Sequence, residues 1–78
     1  MNAIPHYPIE ALSKRELEVL SELAKGKSRS EVSTQMGISL ATYDGYRKSI
    51  RQKLRIKTQV EWGRVFMKIE ELNKKKTK

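Results

Sequence analysis

The run V-S-T-Q-M-G-I-S-L-A-T, from Val32 to Thr42, decides how this chain is read. Val32 and Met36 stand one helical turn apart, the spacing of a buried helix face. Ser33 is small, so a second helix can approach closely. Gly37 can take positive φ without steric cost, and Ile38 is an apolar plug for the angle between two helices. Ser39 can accept from a free N–H of the helix that follows. This is the chemistry of a helix-turn-helix. It is also that of any αα-hairpin with a glycine turn, so the turn alone leaves a DNA reader and a structural hairpin both open.

Helix starts recur on both sides of the turn. Ser13 with Glu16, Ser28 with Glu31 and Thr58 with Glu61 all have capping-box spacing. Together with Ser39 as a cap, they predict helices over about 14–25, 29–36, 40–54 and 59–73, with Gly26 and Gly37 at the stops of the first two. Leu17, Leu20, Leu23 and Ala24 give the first helix its apolar face. Apolar residues recur at three and four, not at two, so strands are not expected. The fold class is all-α: a compact four-helix domain over 12–73 that contains a helix-turn-helix. Residues 1–11, with Pro5 and Pro8, read as an extended arm, and 74–78 as a basic, disordered tail.

Composition narrows the function classes. The chain has 78 residues, room for one domain with a modest core. It has no cysteine, which excludes disulfides, thiolate metal sites and a cysteine nucleophile. His6 is the single histidine and cannot form a metal cluster alone. No metal, cofactor or small-molecule substrate is expected. Without a paired-carboxylate pocket or a glycine-rich phosphate loop, an enzyme is not expected either. No window reaches the length of a membrane span, and Met1 to Pro8 lacks the pattern of a signal peptide. The expected location is the cytoplasm. The net charge is +8, and all of it arises after residue 31. That asymmetry points to an anionic partner for the C-terminal half, although a solubilising surface with a lysine tail would read the same way.

Three further stretches make the pattern recognisable. From Leu12 the chain reads L-S-K-R-E-L-E-V-L-S-E-L-A-K-G-K-S, then E-V-S-T-Q-M-G-I-S-L-A-T from Glu31, and I-R-Q-K-L-R-I-K-T-Q from Ile50 to Gln59. Over roughly Leu12 to Phe66 it resembles the LuxR-type (FixJ/NarL-like) helix-turn-helix domain. Sigma-factor region 4 shares the first two stretches but usually lacks the third followed by a fourth helix. The resemblance implies a sequence-specific transcription regulator whose third helix enters the major groove of double-stranded DNA. It also implies a homodimer through helix 4 that reads two half-sites. The start at Met1 favours a stand-alone regulator over an excised domain.

At 100° per residue, Tyr43, Tyr46, Ile50 and Leu54 share an arc of about 80° on helix 3 and face the core. Ala41, Asp44, Gly45, Lys48 and Gln52 lie opposite, at positions that the resemblance makes groove-facing. Lysine can donate to guanine, glutamine can pair with adenine, and aspartate can accept from cytosine N4. Arg47, Arg51 and Arg55 form a flanking stripe able to reach phosphates, together with Lys57, Ser39 and Thr42. Arg47 has an alternative, packing its stem and only snorkelling. Ser39 has one too, simple capping.

Departures from the family pattern bear on both ends of the domain. Tyr43 stands in place of a valine, Tyr46 of a histidine, Asp44 of a lysine, and Trp62 of an alanine. Trp62 beside Gly63 reads as a large-for-small exchange with a neighbouring void. On helix 4, Trp62 and Phe66 are assigned to the core. Val65, Ile69 and Leu72 are candidates for a dimer seam, the alternative being that the whole stripe covers the core of a monomer. Asp44, Gly45 and the wide helix 4 stripe also motivate a second function: a protein-interaction module that binds and modulates another regulator or RNA polymerase.

Overall fold

The computed structural model describes residues 7–76. His6 and the first part of the expected arm lie outside the described residues, as do Thr77 and Lys78 of the expected tail. Four α-helices follow a short 3-10 turn, Ile9–Ala11: α1 (Lys14–Ala24), α2 (Arg29–Met36), α3 (Leu40–Leu54) and α4 (Gln59–Lys76). No strand occurs among the described residues.

The starts are set locally. In α1 the Ser13 hydroxyl accepts from Glu16 N while the Glu16 carboxylate accepts from Ser13 N. Ser28 and Glu31 repeat this at α2, and Thr58 and Glu61 at α4. Ser39 caps α3 alone, accepting from Thr42 N at 3.0 Å.

The first three helices stop in one way. Gly37 takes φ 68°, its N–H donates to Thr34 O, and Ile38 N–H donates to Ser33 O. This is a Schellman closure, with the left-handed residue satisfying carbonyls the helix leaves free. The same bonds recur after α1, about Gly26, and after α3. After α3 the left-handed residue is Arg55, at φ 57°, not a glycine.

Helix α1 packs against α2, α3 and α4, while α2 packs on α3. The core gathers Val19 and Leu20 of α1, Val32 of α2, Tyr43, Ile50 and Leu54 of α3, Ile56, and Trp62, Val65 and Ile69 of α4. Ser33 is buried at the α2–α3 approach, and its hydroxyl donates back to Arg29 O at 2.9 Å, so no polar atom is stranded there. A buried carboxylate ties α1 to α3. Glu16 accepts from Lys53 Nζ at 2.8 Å and from the Ser49 hydroxyl.

Three expectations need correction. Residues 7–11 are not an extended arm. Tyr7 and Ile9 are buried in the core, and Ile9–Ala11 turns as a 3-10 helix. Pro8 suits the entry to such a turn, because its ring fixes φ and its missing N–H is not needed there. Residues 74–76 are helical, with α4 running to Lys76. Lysines are good helix formers. Finally, Gly63 leaves no void for Trp62: it is exposed, and a Cβ there would meet nothing within 4 Å.

Candidate nucleic-acid interface

The buried side of α3 fixes its exposed side. With Tyr43, Ile50 and Leu54 in the core and Tyr46 half-buried, Ala41, Asp44, Gly45, Lys48 and Gln52 all stand exposed. The five residues expected to face a groove thus share the outer surface of one helix. Glycine at 45 is not required by packing, since nothing lies within 4 Å of where its Cβ would be.

The flanking stripe divides. Arg51 and Arg55 are exposed, and Lys57 is exposed in the link to α4. Arg47 is half-buried, and its guanidinium sits over the Trp62 ring, 4.2 Å from the centroid. This contact is in keeping with the packing alternative for Arg47. The cation is drawn to the indole face by the ring quadrupole. Trp62 also meets Phe66 in a tilted pair, with ring centroids 5.8 Å apart.

At the start of α3 the Ser39 hydroxyl accepts from Thr42 N and donates to Thr42 Oγ1 at 3.0 Å. Ser39 is thereby engaged as the cap. Thr42 is exposed beside it and retains its own hydroxyl proton for an incoming acceptor.

Asp44 is not a free carboxylate. Arg29, the first residue of α2, donates from Nε to Oδ1 at 3.0 Å and from Nη2 to Oδ2 at 2.9 Å. The hydrogen bond from Arg29 holds the Asp44 carboxyl below its usual range, and the same bond raises the Arg29 guanidinium further. Sequence reading missed Arg29. Its one local signal is a cation at a helix N-terminus, where the backbone dipole disfavours it.

The dimer candidates also divide. Val65 and Ile69 are buried within the single chain, at 0% and 2% exposure, and cannot form a seam. They lie against the core because α1 covers that side of α4. Leu72 is exposed at 39%, while Val60 and Met67 reach 65% and 68%. At 100° per residue, Val60, Gly63 and Met67 fall within about 60° of one another, opposite the buried face.

Among the described residues no helix is long and apolar enough to cross a membrane. A family model described as bacterial regulatory proteins, luxR family, matches residues 10–66. Over 54 residues the chain is 39% identical to the oxygen regulatory protein NreC of Staphylococcus carnosus, covering 69% of this chain and 25% of that protein. It is 37% identical over the same length to the NreC proteins of Staphylococcus aureus strains JH9 and Mu3, with the same coverage. The chain thus spans about a quarter of the length of the curated relatives it matches.

Proposed function

This chain belongs to the luxR family of bacterial regulatory proteins, and from that premise we propose that it is a cytoplasmic, sequence-specific DNA-binding transcription regulator. The observation that carries the reading is the outer face of α3. Ala41, Gly45, Lys48 and Gln52 stand exposed together on it, on the second helix of a helix-turn-helix closed at Gly37. In such a motif the second helix lies in the major groove of double-stranded DNA.

Lys48 and Gln52 are the base readers in this proposal, lysine donating to guanine and glutamine pairing with adenine. Ala41 and Gly45 let the helix surface come close to the base edges. Arg51, Arg55 and Lys57 neutralise phosphates, and the Thr42 hydroxyl with the first-turn N–H groups of α3 takes another. These contacts predict binding that weakens steeply as salt rises.

The protein acts as a homodimer through the outward face of α4, with Val60, Gly63 and Met67 at the seam, while Leu72 lies on the other side of the helix, near Val65. Large exposed apolar residues on one helix side support this. Two copies related by a two-fold axis read two half-sites.

Selection of bound duplexes from a random pool at low salt tests the whole reading. The expected result is an enriched motif with two-fold symmetry. A pool with no enriched motif, from a protein that shows no salt-dependent binding, would overturn it. That outcome would favour a module acting on another regulator or on RNA polymerase.

A further inference from the structure

The helix-turn-helix brings together two charged residues far apart in sequence, Arg29 at the start of α2 and Asp44 in the second turn of α3. Their contact is a full fork: Nε to Oδ1 at 3.0 Å and Nη2 to Oδ2 at 2.9 Å. Planar bidentate matching of this kind fixes the direction of the guanidinium as well as its position.

Stability does not account for the pair. Both side chains are half exposed, at 52% and 54%, so water and salt screen most of their attraction. Arg29 also opposes the dipole of its own helix. A cation kept at that place, and held in one orientation, needs another reason. The surrounding surface supplies one. Asp44 stands among Ala41, Gly45 and Lys48, on the face proposed to meet DNA. A bare carboxylate there would be repelled by nearby phosphates. The pair with Arg29 carries no net charge, and both Asp44 oxygens already accept from the guanidinium.

We infer that Asp44 is a positioning residue and not a base reader, and that the Arg29 guanidinium it holds contacts a backbone phosphate at the edge of the groove entered by α3. The inference rests on the DNA-binding reading above. Arg29 spends Nε and one Nη2 hydrogen on Asp44, which leaves the Nη1 hydrogens for a phosphate oxygen. In helix-turn-helix proteins the first helix crosses the DNA backbone, which is where α2 carries Arg29. The fork also freezes a long side chain before DNA arrives, so less rotamer freedom is lost on binding. A guanidinium is thus presented from α2 at the place where the family pattern has a lysine on α3.

The test is a salt titration, by fluorescence anisotropy, of a duplex recovered from the random-pool selection. The proteins are the wild type, R29A, R29Q, D44A and the double variant R29A/D44A, each first checked for helicity and thermal melting. R29A is expected to weaken binding roughly tenfold and to lower the slope of log affinity against log salt by about 1. Its base preferences stay unchanged. R29Q, which keeps most of the stem, loses the same slope, so the result stands even if R29A folds poorly. D44A leaves the cation in place and costs less affinity than R29A, again without altering preference. R29A/D44A recovers part of the R29A loss, because no unpaired carboxylate then faces the phosphates.

An unchanged salt slope in R29A and R29Q would overturn the inference while leaving the DNA-binding reading intact. A changed base preference in D44A would also overturn it, making Asp44 a reader after all. A wild type that binds no duplex overturns the proposed function itself, and this inference with it.

Discussion

The Arg47 guanidinium lies over the Trp62 indole, 4.2 Å from the ring centroid, and the stack ties α3 to α4. Arg47 sits four residues before Arg51 in what the sequence presents as one basic stripe. Trp62 offers it an aromatic face within the chain.

Arg47→Ala is therefore expected to act on stability and not on phosphate contacts. Loss of the stack and of the stem's cover should cost about 1–2 kcal/mol in urea unfolding. Trp62 is the sole tryptophan, so its emission reports the site directly. A red shift in the folded variant is expected as the indole gains water. The salt slope of DNA binding should stay at the wild-type value. A slope lowered by about 1 would return Arg47 to the phosphate stripe.

The buried Glu16 predicts an acid transition. Burial pushes its carboxyl up, but hydrogen bonds from Lys53, Ser49 and Ser13 N, with the Lys53 charge, outweigh it and hold the group at about 2, against an ordinary 4.5. The folded value is depressed, so the stabilisation is complete above pH 4.5 and is lost as pH falls from there through 2. Lys53 is 40% exposed and partly screened, so the contribution is on the order of 2 kcal/mol. Comparison of wild type with Glu16→Gln by urea unfolding should show that difference at pH 7 and almost none near pH 2. A difference independent of pH would mean that the carboxylate charge contributes nothing.

These cases mark what was legible in the sequence. Ser13, Ser28 and Thr58 announce their helices because a capping box is a contact three residues long. Gly37 announces the turn because a left-handed residue is usually glycine. The exposed face of α3 followed from the apolar period alone. Arg29 with Asp44 did not, because their contact exists only once the turn has set the angle between α2 and α3. On α4 the pattern showed a wide apolar arc but not its centre. Packing on α1 turned Val65 and Ile69 inward, and left Val60 and Met67 outside among Arg64, Lys68 and Glu71. Near the N-terminus, the prolines excluded a long helix but hid that Tyr7 and Ile9 fold into the core.

Arg55 closes α3 in the left-handed region, at φ 57°, where a side chain is disfavoured. The first two helices use glycine for the same closure, so the arginine is retained against a local conformational cost. Arg55→Gly should raise unfolding stability by up to about 1 kcal/mol. It should also lower the salt slope of DNA binding by about 1, through loss of a phosphate contact. A variant that is more stable and binds with an unchanged slope would remove Arg55 from the interface.

Gly45 and Gly63 pose one question on two surfaces. Each is exposed inside a helix, and a Cβ at either would meet nothing within 4 Å. Packing within the chain thus gives no reason for glycine, and alanine at either site should stabilise the isolated protein by about 1 kcal/mol. What approaches from outside would supply one. Gly45 is on the face proposed for DNA, so Gly45→Ala should weaken duplex binding while leaving sedimentation unchanged. Gly63 stands between Val60 and Met67 on the outward side of α4, where a second copy would cross closely. Gly63→Ala should shift the monomer–dimer equilibrium toward monomer, and Met67→Glu should shift it further, both read by sedimentation equilibrium without DNA. If both α4 variants sediment as the wild type does, the outward face of α4 is no seam, and Gly63 is simply a tolerated weakness in the helix.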